Sequence, residues 1–142
     1  MAEEKQRGKQ RIIIMKIEHI AIWADDIDLL RDFYRKYFNL SCGDKYTNPA
    51  KKFTSYFLSF GEGRTRIEIM NIPDLGNPGS RGDLKGLAHF AIRVGSREAV
   101  DELTGQLRSD GYTILSGPRT TGDGCYESAV ADPEGNHVEI TV

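Results

Sequence analysis

Cysteine is scarce in this chain: Cys42 and Cys125 are the only two among 142 residues. Two distant thiols make no disulfide framework. With no Cys-x-x-Cys or Cys/His cluster around them, they also argue against a thiolate zinc site. Neither has an activating neighbour in sequence, so no redox or nucleophilic role is expected, and two reduced thiols fit a cytoplasmic protein. An excess of charge of one sign is lacking too. Nineteen Lys and Arg against 21 Asp and Glu leave a formal charge of −2, with no basic face for nucleic acid. Long hydrophobic runs are absent: Ile12–Ile14 is far too short to cross a bilayer. The first 14 residues are mostly polar and charged, without a signal-peptide pattern, and read as a flexible leader.

What remains is the composition of one globular domain, 39% hydrophobic and 28% charged. Lys16–Ala24 alternates as a strand. Asp25-Asp26 offers a helix N-cap, and Ile27, Leu30, Phe33, Tyr34, Tyr37 and Phe38 recur at helical spacing over about 26–38. A weak strand near 41–46 and two stronger ones at 53–60 and 65–71 follow, with Gly61-Glu62-Gly63 as a turn. Residues 73–84 are dense in Pro and Gly and read as a loop with the character of a flap. The order then repeats: a strand over Leu87–Val94, a helix over about 97–110 capped by Ser96, and strands at Tyr112–Leu115, Tyr126–Ala131 and His137–Val142. Gly117-Pro118 reads as a turn between them. The expected fold is α+β: two tandem βαβββ modules, 16–72 and 85–142, joined by the loop 73–84, forming a curved sheet with a cleft.

Chemistry enters through a doubled His–Glu pair. His19 precedes Glu68 by 49 residues and His89 precedes Glu139 by 50. His-Ile-Ala-Ile at 19–22 recurs as His-Phe-Ala-Ile at 89–92, and Arg-Ile-Glu-Ile at 66–69 recurs as His-Val-Glu-Ile at 137–140. Strand alternation puts Ile67, Ile69, Val138 and Ile140 on one face, suited to packing on the helices, and all four candidate ligands on the other. Two imidazoles and two carboxylates without thiolate suit one divalent ion: zinc, nickel, cobalt, manganese or ferrous iron. Ordinary polar residues on solvated strand faces are the plainer reading of any one of these. The repetition of the pair tells against it. Trp23, Arg93, Tyr56 and Tyr126 are candidates for substrate contact, against the alternatives of packing or solvation. Arg64, Arg66 and Lys85 read as rim charges, and His137 as a neighbour of the site rather than a ligand.

These residues together resemble the vicinal oxygen chelate superfamily, which includes glyoxalase I. The carriers are His19 in Glu-His-Ile-Ala-Ile, Phe33-Tyr34 ahead of Leu40, Glu68 in Ile-Glu-Ile, His89 in Ala-His-Phe-Ala-Ile, and Asp132-Pro133-Glu134-Gly135-Asn136 leading to Glu139. The resemblance spans nearly all of 16–142. It implies a U-shaped cleft around a metal, a homodimer with sites shared between subunits, and a small-molecule substrate chelated through vicinal oxygens. The order His, Glu, His, Glu matches the glyoxalase I pattern. That implies metal ligation by His19, Glu68, His89 and Glu139, and lyase or isomerase chemistry in which a proton moves between adjacent carbons. Glu139 is the first candidate for the base and Glu68 the second. Two departures bear on the substrate. Trp23 stands where bacterial glyoxalases carry an arginine for a glutathione carboxylate, and Ile72 stands where they carry asparagine. The alternatives are another superfamily enzyme, a dioxygenase or epimerase, and a non-enzymatic drug-binding resistance protein.

Overall fold

The computed structural model describes residues 15–77, 79 and 81–142; the leader expected at 1–14 lies outside them. The first module runs β1 (His19–Trp23), α1 (Ile27–Phe38), β2 (Ser41–Cys42), β3 (Tyr46–Asn48), β4 (Phe53–Ser59) and β5 (Arg66–Asn71). The second runs β6 (Phe90–Arg93), α2 (Arg97–Ser109), β7 (Ile114–Thr120), β8 (Tyr126–Ala131) and β9 (His137–Thr141). The α+β class and the doubled βαβββ order are those read from sequence.

Each helix forms for visible reasons. In α1 the Asp26 side chain accepts from the Leu29 N–H, Asp28 lies in the first turn, and Arg35 and Lys36 lie in the last, complementing the helix dipole. Asn39 closes it in a left-handed conformation at φ 54°. In α2 the Ser96 side chain accepts from the Ala99 N–H, and Val100, Thr104 and Leu107 turn inward. Thr104 is the residue that apolar periodicity overlooks. Its hydroxyl bonds to the Val100 carbonyl and to Ser128 of β8, both at 2.6 Å, so a polar contact is buried without an orphaned group.

The strands form two sheets rather than one, ordered β1-β5-β4-β2, with β3 also on β4, and β6-β9-β8-β7. In each module the first strand pairs in parallel with the last, and β1 and β6 end their sheets. The weak strand near 41–46 resolves into two short ones, β2 and β3, separated by Gly43-Asp44-Lys45. The turn expected at Gly117-Pro118 is instead an irregular stretch within β7, where the register against β8 shifts. Gly117 has φ 77°, and a Cβ there would stand 2.6 Å from the Glu127 carbonyl oxygen. The glycine thus permits close strand approach at a bulge rather than chain reversal.

One core runs through both modules. Ile67, Ile69, Val138 and Ile140 are buried beneath the helices, and α1 also reaches the second module. Phe33 packs on Tyr112 with ring centroids 5.0 Å apart, and Tyr34 packs on Phe90 at 6.2 Å. The Asp26 N–H donates to Glu134 at 2.8 Å, and the Tyr37 hydroxyl to Asp110 at 2.5 Å. The deepest of these links is Tyr34 Oη donating to the buried Asp132 carboxylate at 2.7 Å. Asp132 also accepts from the backbone N–H groups of Glu134 and Asn136, both at 2.9 Å, and from the Asn136 side chain at 2.8 Å. That set of bonds is why Asp-Pro-Glu-Gly-Asn turns as it does, and it joins the turn to α1.

Burial raises the Asp132 carboxyl above the ordinary 3.8, while its four hydrogen bonds, Tyr34 foremost, pull the other way. Burial penalises the charged form, so this cost to stability appears as pH rises through the raised value and is absent below 3.8. The Tyr34 bond favours the charged form, so its contribution is present at neutral pH and shrinks as the carboxyl protonates. Tyr34→Phe is expected to cost about 1–3 kcal/mol at neutral pH, with the difference from wild type narrowing on acidification. Denaturant unfolding of both proteins across a pH series checks it.

Candidate metal centre

The parallel pairings align the ligand candidates. Ala21 of β1 lies in register with Glu68 of β5, and Ala91 of β6 with Glu139 of β9. His19 is two residues before Ala21 and His89 two before Ala91, so each histidine shares a sheet face with its own module's glutamate. That face is the open one. His19, Ala21, Trp23, His89, Ala91 and Arg93 are exposed, and Glu68 and Glu139 half-buried.

The two half-sites are built differently. In the second, His89 Nε2 lies 3.2 Å from Glu139 Oε1. In the first, His19 Nδ1 is hydrogen-bonded to the Glu18 carboxylate. Glu18 is in turn held by the Arg66 guanidinium, whose Nε lies 2.9 Å from Oε1. These bonds, His19 foremost and then Arg66, hold the Glu18 carboxyl below its ordinary value. The His19 ring meets Phe57 edge-on with centroids 5.5 Å apart, and the Arg66 guanidinium lies 4.0 Å over the same Phe57 ring.

The donor types suit a divalent ion, but one chain does not assemble them. Among the described residues, no three His, Cys, Asp or Glu side chains converge to hold a metal. The structure brings His89 to Glu139. It places His19 and Glu68 on a common face of the other sheet, and it does not bring the two pairs together.

Two substrate-contact candidates fall on the wrong side. Tyr56 pairs with Ile69 and so turns toward α1, where its hydroxyl donates to Asp28 and accepts from Arg31, both at 2.7 Å. Tyr126 turns toward α2: its hydroxyl bonds to Asp101, and Arg97 lies 4.6 Å over its ring. Strand alternation, applied to β4 and β8 as it was to β1 and β5, separates both tyrosines from the ligand face. The residues on that face are Phe57, paired with Glu68, and Ala129, paired with Glu139.

Glu127 was overlooked in the sequence. Paired with Thr141, it lies diagonal to Glu139 on the same face. Its carboxyl is raised by burial first and then by the charges of Glu139 and Asp123, with Arg119 partly offsetting them. The signal was its even spacing from Ala129 along β8.

Trp23 and Arg93 do lie on the open face. Trp23, Met70, Ser55 and Tyr46 form one row across β1, β5, β4 and β3, two residues along from Glu68. Phe53 bridges its ends, with ring centroids 6.4 Å from Trp23 and 6.0 Å from Tyr46. Trp23 is 41% exposed. The result is an aromatic wall beside the first half-site. Asn71, neighbour of the divergent Ile72, is committed elsewhere, donating to the Ala24 carbonyl at 2.8 Å.

A cavity of about 300 Å³ lies between β1, β6 and the linker, with Trp23, Leu84, Leu87 and His89 among its walls. Arg81 fastens the linker by donating to Asn136 at 2.9 Å. Next to it, Gly82 crosses the His137 imidazole so closely that a Cβ would meet the ring at 2.5 Å. His137 therefore supports the linker. Cys42 and Cys125 are both free, and burial pushes the Cys42 thiol up, away from a reactive thiolate. Among the described residues, no helix is long and apolar enough to cross a membrane.

Known structures of similar shape carry the glyoxalase name. The trypanothione-dependent glyoxalase I of Leishmania major is 25% identical, with a TM-score of 0.70 over 90% of this chain and 86% of its own. A glyoxalase family protein from Enterococcus faecalis is 22% identical, with a TM-score of 0.73 over 89% of this chain and 97% of its own. Glyoxalase I from Zea mays is 23% identical, with a TM-score of 0.74 over 89% of this chain, which spans 44% of the maize chain. No protein with a curated description matches in sequence. A family model matches residues 16–140, the same span in which the doubled module and its two His–Glu pairs lie, and the chain belongs to the Glyoxalase/Bleomycin resistance protein/Dioxygenase superfamily.

Proposed function

We propose that this protein is a metal-dependent lyase or isomerase of the glyoxalase type, moving a proton between adjacent carbons of a small carbonyl or hemithioacetal substrate. It works as a homodimer in which His19 and Glu68 of one chain join His89 and Glu139 of the other around one divalent ion. The observation that carries this reading is the matched placement of a His and a Glu on the open face of each sheet. Two such pairs that do not meet within a chain call for a second copy. In support, β1 and β6 each end a sheet, and a terminal strand is where another chain can dock.

The ion, when bound, would supply Lewis-acid polarisation of the substrate carbonyl. The chain's own groups do the rest. Glu139, whose carboxylate lies 3.2 Å from His89 Nε2, takes the α-proton and returns it to the neighbouring carbon. Glu68 faces it from the other half-site as second ligand and alternative base. Trp23, Met70, Phe53 and Tyr46 meet the substituent that projects past Glu68. An aromatic wall there favours an apolar or ring-bearing group over a γ-glutamyl carboxylate, which would need the missing arginine.

A mixing experiment tests the shared site. One variant carries His19→Ala with Glu68→Gln, the other His89→Ala with Glu139→Gln; each alone is expected to bind no zinc and to be inactive. After unfolding and joint refolding, heterodimers regain one intact site each, so about a quarter of wild-type sites should return. Failure of the mixture to recover zinc or activity would overturn the shared arrangement. For the substrate side, phenylglyoxal–thiol adducts should be turned over with a higher kcat/KM than methylglyoxal adducts. Trp23→Ala should shrink that ratio by about 2–10-fold, measured in steady-state assays with each thiol.

A further inference from the structure

The two histidines of the proposed metal site are not equivalent, and the difference lies in groups that no ligand assignment includes. We propose that Glu18, anchored by Arg66, is a positioning residue for His19: it fixes the imidazole as the Nδ1–H tautomer and leaves Nε2 bare as the ligating atom. This rests on the metal-site reading above, but its central claim concerns the metal-free protein.

An ionised carboxylate has only acceptor sites, so in its contact with Glu18 the Nδ1 of His19 must be the donor. A neutral imidazole holds one ring proton, and a proton fixed on Nδ1 leaves the lone pair on Nε2. The carboxylate is divided between two partners: Oε2 meets His19 and Oε1 meets Arg66. Arg66 is brought there by the sheet itself. It is the register partner of His19 across β1 and β5, and its backbone N–H donates to the Glu18 carbonyl at 2.8 Å. Phe57 then underlies both, meeting His19 edge-on and Arg66 face-on. Three side chains from three segments thus brace one imidazole.

The second module has none of these braces. Ala88 stands where the repeat would place Glu18, His137 where it would place Arg66, and Ala129 where it would place Phe57. His89 uses its Nε2 against Glu139 instead. The brace is therefore particular to the first half-site rather than a property of the module. Its chemical effect is that of a carboxylate behind a metal-bound histidine: the ring is oriented, the tautomer is set and the ligand becomes more basic.

The test uses ¹⁵N-labelled full-length protein, stripped of metal, with long-range proton–nitrogen correlation spectra of the histidine rings at a pH where they are neutral. The His19 signals are assigned by their loss in His19→Asn. Wild type is expected to show His19 protonated on Nδ1. In Glu18→Ala this preference should be lost and the zinc dissociation constant should rise by about 10–100-fold. Glu18→Gln, whose carbonyl still accepts, should restore much of both, and Arg66→Met should fall between. Glu18 lies on the surface, and the spectra themselves confirm that the variants fold. His19 protonated on Nε2 in the wild type would overturn the proposal, as would a Glu18→Ala protein with unchanged tautomer. If the wild type took up no zinc, the metal reading would fail while the tautomer still decided the role of Glu18.

Discussion

The parallel pairing of first and last strand within each module is the constraint on which the rest depends. Parallel strands demand a crossover, and here the crossover begins with a helix that covers one face of the pair and returns through strands that extend the same sheet. Once Ile67, Ile69, Val138 and Ile140 are committed to that helix-covered face, alternation leaves no freedom: His19 with Glu68, and His89 with Glu139, must lie on the opposite side. A one-residue slip in either pairing would bury a glutamate and expose an isoleucine, so the hydrophobic effect that stabilises each module also aims its polar pair.

Much of this could be read in the chain because period-2 and period-3.6 patterns are strong where one face is buried. The helices, the β4, β5, β8 and β9 strands and the common face of the four ligand candidates follow from local pattern alone. What escaped reading depends on neighbours distant in sequence. Gly117 looks like a turn until the Glu127 carbonyl is seen 2.6 Å from where its Cβ would stand. Thr104 escapes an apolar pattern, and only its contact with Ser128 shows why a hydroxyl can be buried there. Tyr56 looks available for substrate until Asp28 and Arg31 of α1 claim its hydroxyl. Nor does periodicity show that the strands close into two sheets, because that depends on which edges meet.

The module repeat is faithful in backbone and unequal in side chains. Each copy keeps the His–Glu spacing, yet the first surrounds its histidine with Glu18, Arg66 and Phe57, and the second leaves its histidine against Glu139 with Glu127 nearby. Aromatic residues gather beside the first half-site, and Glu127, its carboxyl raised by burial and by the Glu139 charge, lies beside the second. The proposed chemistry divides along the same line, with ligand orientation and substituent recognition on one module and proton transfer on the other.

The crossing of Gly82 over the His137 ring bears on how such a chain can change over evolutionary time. A joint between two duplicated modules is ordinarily the part most tolerant of insertion and drift, being irregular and exposed. Here the joint touches down on the second module at a point with no room for one further carbon atom. Position 82 accepts a side chain only if the linker lifts or the imidazole at the start of β9 swings aside, and its φ of 85° favours glycine independently. The seam between the copies is thus pinned at Arg81 and Gly82, and mutational tolerance across it should be lowest at those two neighbours.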